Sequence, residues 1–150
     1  MTVSQEKDAC RVNELFVTQI GTELKRAERY RIFVSLAVLD LGFLDGLMGE
    51  AERVTLIRDI YNLTRQKTRG CDAVSILDNH RLCVLFPETP RQGAEAAAKR
   101  VRELVTSELS KRRAQPVEQI IPMELASYPD AAGARTITQF LEEIQAASQN

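Results

Sequence analysis

A crowded polar turn lies between two apolar segments of the chain. The stretch "RGCDAVSILDNHRLCVLFPET", residues 69–89, places Asp78, Asn79, His80 and Arg81 between two short runs of β-branched and apolar residues. Carboxylates and imidazoles are metal ligands, so the turn contains the residue types of a metal site. His80 is the only histidine of the chain, and we interpret it as a solvated turn residue rather than a ligand.

A second pair with chemical capacity begins the same stretch, where Arg69 and Asp72 form an R-x-x-D pattern. A guanidinium matches the O6 and N7 acceptors of guanine and pairs with phosphate, and a carboxylate accepts from the ring and amino protons of guanine. The same spacing also suits a local ion pair at a helix–strand junction, which contributes little to stability if exposed. Both interpretations stay open here, and under either we expect Arg69 to be largely solvated.

Alternating helices and strands must position these groups. Apolar residues at helical spacing, Leu15 among them, predict a leading helix over residues 6–30. The run "IFVSLAVLDL" predicts a buried strand that ends at Asp40. A second helix, lined by Val54, Ile57, Ile60, Tyr61 and Thr64, is expected to stop at Gly70. The segments "DAVSIL" and "RLCVLF" then predict a hairpin around Asp78 and Asn79, residue types that tolerate positive φ.

The second half of the chain repeats the alternation. Apolar residues between 94 and 109 predict a long third helix. The segment "EQIIPMELASYP" predicts a strand in which Pro122 favours an edge position or a bulge, and residues 136–147 predict a short last helix. The order is a helix, then β-α-β-β-α-β, then a helix. The right-handed crossover rule makes this an α+β domain with a ferredoxin-like, palm-type antiparallel sheet and two crossover helices on one face.

Composition limits the possible partners and location. The chain has 150 residues, enough for one domain, and twenty basic residues oppose twenty-one acidic ones. This balance provides no overall field for nucleic acid or an anionic membrane, and we expect neither as a partner. Without a signal-peptide pattern or an apolar run of spanning length, we expect a cytoplasmic protein. The three cysteines match no zinc or redox motif and are expected to be reduced.

Four blocks of the chain resemble successive blocks of the GGDEF family, the diguanylate cyclases that join two GTP molecules into cyclic di-GMP. They are "ELKRAERYRIFVSLAVLDL", "RGCDAVSIL", "VLFPETPRQGAEAAAKRVRELV" and "ASYPDAAG", in the family's order. The resemblance implies a palm-like fold. It divides the single globular unit into a leading helix, residues 1–30, and a GGDEF-like domain, residues 31–150.

The same resemblance implies a degenerate signature. The family's two glycines, acidic pair and phenylalanine fall on Asp78, Asn79, His80, Arg81 and Leu82, so none of the five is kept. In the family, glycines let the backbone approach a triphosphate, and an acid holds magnesium together with an aspartate that corresponds to Asp40. Here His80 offers nitrogen in place of that carboxylate, and the turn side chains crowd the phosphate position. Asp40 is therefore interpreted as vestigial, without a metal or other cofactor.

Two further departures imply that the chain is not an enzyme. The loop "GFLDGLMGEAERV" is about three residues shorter than the guanine-reading loop of the family, and "TQFLEEIQAASQN" lacks the lysine that helps hold the triphosphate. Without metal, nothing activates the attacking hydroxyl or neutralises the α-phosphate. We expect no cyclase activity.

The family's allosteric product site is implied to survive. That site has an R-x-x-D motif ending six residues before the signature, as Arg69 and Asp72 do here, and a second arginine from the following helix, which falls on Arg100. A further basic residue found in some members falls on Ala96 and is lost.

Two functions follow as hypotheses. The first is a receptor that binds cyclic di-GMP at Arg69, Asp72 and Arg100 and passes occupancy on to a protein partner. The second is a protein-interaction scaffold without nucleotide binding. For either, the leading helix is the expected docking surface, in a homodimer or with another protein.

Overall fold

The computed structural model describes residues 3–113 and 121–149 of the chain. The elements follow the predicted order: helix α1 (Val3–Tyr30), strand β1 (Val34–Asp40), a 3-10 helix (Gly42–Gly46), α2 (Glu50–Lys67), β2 (Ala73–Leu77), β3 (Arg81–Pro87), α3 (Arg91–Arg113), β4 (Met123–Tyr128) and α4 (Ile137–Gln149). The predicted α+β class is confirmed. The first residues of the predicted fourth strand, 118–120, lie outside the described residues.

The described strands form one antiparallel sheet in the order β2-β3-β1-β4. This order places a helical crossover between β1 and β2 and another between β3 and β4, the arrangement of a ferredoxin-like sheet. β4 is an edge strand and begins directly after Pro122, whose carbonyl oxygen accepts from the N–H of Asp40 at 3.0 Å. The edge position predicted from Pro122 is therefore confirmed.

Helices α2 and α3 cover one face of the sheet. Their buried residues, Leu56, Ile57, Ile60, Ala94, Ala98, Val101, Val105 and Leu109, form one apolar cluster with residues of β1, β2 and β3. The apolar positions of α3 recur at three- and four-residue spacing, so a single stripe of that helix faces the sheet. This stripe packs α3 over β1 and β4, whereas α2 packs against β2.

Helices α1 and α4 contribute to a second cluster on the opposite face of the sheet. Phe16, Ile20 and Ala27 of α1 and Ile137, Phe140 and Ile144 of α4 are buried there with residues of β1, β2 and β3. The capping box of α4 explains its start, because the N–H of Gln139 donates to Thr136 Oγ1 at 3.0 Å and the Thr136 N–H donates to Gln139 Oε1 at 2.9 Å.

Two apolar residues assigned to helix faces were placed wrongly by the periodicity. Leu15 of α1 is 65% exposed and Val54 of α2 is 55% exposed. Val54 precedes the first buried residues of α2, Leu56 and Ile57. Leu15 is next to the buried Phe16 and lies on the side of α1 that faces away from the sheet. The side chains of residues 1–13 lie outside the described part of the chain, including Val12 of the predicted apolar face.

The hairpin turn has the backbone expected of it. Asp78 and Asn79 have φ of 56° and 64°, and the N–H of His80 donates to the carbonyl oxygen of Leu77 at 3.1 Å. Two successive positive φ values are typical of the two-residue turns that match strand twist. The predicted use of Asp and Asn for this conformation is confirmed.

No helix in the described ranges is long and apolar enough to span a bilayer.

Candidate functional site

A groove lies beside the hairpin, between the end of α2 and the outer surface of α3. It encloses about 440 Å³ and is lined by Lys67, Thr68, Arg69, Asp72, Phe86, Thr89, Gly93, Ala97, Arg100, Val101 and Leu104. Arg69 and Asp72 come from the loop between α2 and β2, whereas Arg100 comes from α3. The three residues that the sequence singled out therefore line one concave surface.

Asp72 is the buried anchor of this groove, with a side chain only 3% exposed. Its carboxylate accepts from Arg69 Nη2 at 2.9 Å and from Arg69 Nε at 3.2 Å, and it also accepts from the Arg69 backbone N–H at 2.8 Å. The hydrogen bond to Asp72 raises the pKa of the Arg69 guanidinium above its ordinary value. The pair is thus a two-point contact supported by the backbone.

The prediction that Arg69 is exposed is confirmed, but the ion pair that it forms with Asp72 is not an exposed pair. The Arg69 side chain is 55% exposed, but its partner is almost completely buried. Removing the guanidinium would leave a desolvated carboxylate with fewer donors, a larger loss than breaking an exposed pair. Arg69 therefore has a structural role in addition to any role toward a ligand.

Thr89, which the sequence did not indicate, is a further partner of Arg69 Nη2. Arg69 Nη2 donates to Thr89 Oγ1 at 2.6 Å and to the carbonyl oxygen of Pro87 at 3.3 Å, and Thr89 Oγ1 donates to Pro87 at 2.8 Å. The contact joins residues twenty positions apart, so no local pattern indicates it. With Asp72 and Thr89 as partners, the guanidinium is held in place before any ligand arrives.

Two other cations line the groove, Lys67 at the end of α2 and Arg100 on α3. Both are exposed, and neither takes part in an ion pair among the described residues. Lys67 was not recognised from the sequence. Ala96, where the resemblance places a lost basic residue, is exposed and is not among the residues that line the groove, whereas Ala97 is.

The hairpin turn borders a second, more open groove of about 610 Å³ at the other end of the sheet. It is lined by Val38, Asp40, Asp78, His80, Arg81, Pro122, Met123, Glu124, Arg135 and Glu143. Four carboxylates, two arginines and a histidine share this space. The arrangement is a charged surface on which the two arginines oppose the acids.

Asp40 and His80 each make a local turn contact there. Asp40 Oδ1 accepts from the N–H of Gly42 at 2.8 Å, and His80 Nδ1 donates to the carbonyl oxygen of Asp78 at 2.8 Å. A Cβ at Gly42 would lie 3.0 Å from Asp40 Oδ1. Across the described part of the chain, no three His, Cys, Asp or Glu side chains come together as a metal-binding group.

Arg81 and Leu82 have structural roles. Leu82 is completely buried in the core. The Arg81 side chain is 13% exposed, pairs with Asp78, contacts Glu143 of α4 through Nη1 at 3.2 Å, and lies 5.8 Å from the centre of the Phe140 ring. Arg81 therefore connects the hairpin turn to α4 through these contacts.

Comparisons with known proteins indicate the fold. No family model matches the sequence. No curated protein matches it either. Among solved structures, the chain is similar to the GGDEF domain of DgcB from Caulobacter crescentus in complex with c-di-GMP, with a TM-score of 0.66, 18% identity, and coverage of 89% of this chain and 80% of that one.

Two structures from Pseudomonas aeruginosa are similar as well. The GGDEF domain of YfiN has a TM-score of 0.61 and 19% identity, with 91% of this chain and 86% of that chain covered. The diguanylate cyclase SiaD, in complex with its activator SiaC, has a TM-score of 0.63 and 18% identity, with 89% of this chain covered but only 52% of the SiaD chain. The palm-like fold implied by the resemblance is confirmed, and the chain folds as a GGDEF-like domain.

Proposed function

We propose that this protein is a catalytically inactive GGDEF-like domain that binds cyclic di-GMP and signals through its occupancy. The observation that carries the proposal is that Arg69 and Asp72, from the loop before β2, line one groove together with Arg100 of α3. The DgcB domain, which has the same fold, was solved in complex with c-di-GMP. That structure supports cyclic di-GMP as the first ligand to test.

The chemistry of the groove suits a guanine nucleotide with phosphates. Arg69 is oriented by Asp72 and Thr89, so its exposed edge is fixed before binding and less side-chain entropy is lost. A guanidinium can donate to guanine O6 and N7 or to phosphate, and the partly exposed Ala97 and Leu104 provide apolar surface for a base. Arg100, which has no ion pair among the described residues, adds a second cation for phosphate.

We propose further that the groove at the hairpin turn performs no cyclase reaction. Asp78 and Asn79 place side chains where the resemblance expects glycines. Asp40 and His80 are engaged in local turn contacts, and Arg81 is bound to two carboxylates. These arginine pairs reduce the negative charge that is available to a divalent cation.

The inactivity is tested by incubating the protein with GTP and Mg²⁺ or Mn²⁺ and measuring cyclic di-GMP by chromatography. We expect no product above a protein-free blank. The triple variant Asp78→Gly, Asn79→Gly, His80→Asp should also make none, because the short loop after β1 and the acidic α4 remain. Product that depends on Asp40, and is lost in Asp40→Ala, would contradict this assignment.

A protein partner is the second part of the proposal. SiaD, which shares the fold, is bound to a protein activator, and Leu15 of α1 and Val54 of α2 expose large apolar side chains. If the groove binds no nucleotide, these surfaces favour the interaction scaffold as the function.

Free thiols at Cys71 and Cys83 agree with the cytoplasmic location that we propose.

Isothermal titration of cyclic di-GMP into the purified protein separates the two functions. The receptor function predicts saturable binding that is roughly ten- to a hundredfold weaker in Arg100→Ala. The folding of this variant should be unaffected, because Arg100 is exposed and has no described ion pair. The matched control is Arg102→Ala on the same helix, which removes an arginine that does not line the groove. If cyclic di-GMP at high concentration produces neither heat of binding nor a shift in the unfolding temperature, the interaction scaffold is the function that remains.

A further inference from the structure

The charge balance inside the groove is uneven. Lys67, Arg69 and Arg100 line it, and Asp72 is the only carboxylate among the described lining residues. Asp72 is already paired with Arg69. Lys67 and Arg100 therefore have no negative partner within the described groove, and their positive charge is available to a ligand.

The two unpaired cations lie on different walls. Lys67 is the last residue of α2, and Arg100 lies in α3 beyond Gly93 and Ala97, which also line the groove. Small residues at 93 and 97 leave room between the walls. Lys67 is a flexible point charge with three donors, suited to phosphate oxygens rather than to one edge of a base.

Resting on the proposed function, we propose that Lys67 is a further ligand-contact residue and that Lys67 and Arg100 hold the two phosphates of cyclic di-GMP from opposite walls. Arg69 is held through Nε and Nη2, so its Nη1, which makes none of the described hydrogen bonds, is the nitrogen that donates to the guanine edge. The cation that the resemblance assigns to Ala96 is supplied instead from α2. Ala96 itself is exposed outside the groove lining, so a basic residue there is not needed.

Charge-changing variants test this assignment by titration with cyclic di-GMP at low and high salt. Lys67→Ala should weaken binding by roughly three- to tenfold, as expected for one partly solvated charged contact. It should also reduce the salt dependence, since one of the screened attractions is gone. Lys67→Arg, which retains the charge and reach, should bind within about twofold of the unaltered protein.

Lys25→Ala is the matched control. Lys25 is an exposed lysine of α1, on the opposite face of the sheet, so its removal changes the net charge equally without touching the groove. It should bind as the unaltered protein does. Thermal unfolding of all variants verifies that folding is unchanged.

The outcomes separate this inference from the receptor proposal. If Lys67→Ala binds as tightly as the unaltered protein while Arg100→Ala binds more weakly, the role of Lys67 is wrong and the receptor proposal stands. If Lys25→Ala weakens binding as much as Lys67→Ala, the effect is one of net charge and the contact is again wrong. If the unaltered protein does not bind cyclic di-GMP, both proposals fail.

Discussion

Arg69 shows how burial of one partner changes the contribution of an ion pair to stability. The Arg69 side chain is 55% exposed, yet the Asp72 carboxylate is 3% exposed and accepts from two guanidinium nitrogens, Nε and Nη2, and from the Arg69 backbone N–H. Exposed pairs contribute little because water replaces the lost partner. At Asp72 water has little access, so the partner cannot be replaced in that way.

Arg69→Ala should therefore destabilise the fold, by about 1 to 2 kcal/mol in the free energy of unfolding. The backbone N–H of residue 69 still reaches Asp72, which limits the cost. Urea denaturation followed by circular dichroism measures the loss. Arg65→Ala is the control, because Arg65 is exposed in the last turn of α2 without a described ion pair, and it should cost less than about 0.5 kcal/mol.

Equal stability of Arg69→Ala and Arg65→Ala would show that Asp72 finds another donor and that the pair is only a surface contact. The distinction matters for binding experiments, since an unstable variant can lose a ligand for structural reasons. Arg100, exposed and unpaired among the described residues, is for that reason the cleaner residue to substitute.

At the scale of elements, the β2-β3 hairpin separates two surfaces. Arg69, Asp72 and Thr89 lie at the open end of the hairpin, just before β2 and just after β3. Asp78 and Arg81 lie at its turn. Asp78 lies six positions after Asp72, which corresponds to about 20 Å along an extended strand. Substitutions at the turn should thus leave the ligand groove unaltered.

The turn itself makes a conformational prediction. Asn79 has φ of 64° and is exposed, so its contribution is mainly the backbone conformation it tolerates. Asn79→Ala should destabilise the protein by about 1 kcal/mol, because alanine adopts this region reluctantly. Asn79→Gly should be neutral or slightly stabilising. Thermal unfolding of the two variants is the measurement, and equal stability of both would contradict the assigned turn.

Helix α4 makes a second prediction at this scale. Glu143 joins Arg81 of the turn and Arg135, and both arginines lie over the ring of Phe140. Glu143→Gln should cost about 0.5 to 1.5 kcal/mol, since Arg81 is largely buried. Glu142→Gln, at an exposed neighbouring site, should cost nothing measurable. Chemical denaturation compares them, and equal values would mean that α4 is held by apolar packing alone.

The order of elements could be predicted from the sequence because each has a clear period or turn. The strand "IFVSLAVLDL", the hairpin around Asp78 and the edge strand after Pro122 all carry strong local signals. Element ends were less accurate. The second helix was expected to reach Gly70, but it ends at Lys67, and Thr68 is already extended with φ −100° and ψ 166°.

The candidate site was predictable only in part. The R-x-x-D pattern is local, and the resemblance supplied Arg100. The burial of Asp72 and the contacts of Arg69 with Thr89 depend on how the loop before β2 packs against the end of β3, and Lys67 becomes a groove residue only when α2 and α3 lie side by side. The spacing of residues in the sequence does not indicate such long-range contacts.

At the scale of the whole molecule, the sheet carries α2 and α3 on one face and α1 and α4 on the other. The ligand groove belongs to the first face. The leading helix packs through Phe16, Ile20 and Ala27 on the second, so a signal from the groove to α1 has to cross the sheet. The homodimer through α1 stays a prediction, for which sedimentation with and without cyclic di-GMP is the measurement.

The most direct test of the account is a calorimetric titration of cyclic di-GMP into the unaltered protein and into Arg100→Ala. We expect saturable binding by the unaltered protein. The affinity of the variant should be lower by roughly ten- to a hundredfold, equivalent to about 1 to 3 kcal/mol. The unfolding temperatures of the two ligand-free proteins should agree. The turn variant Asn79→Gly should bind normally. Failure of the unaltered protein to bind, or equal binding by Arg100→Ala, would contradict the receptor function.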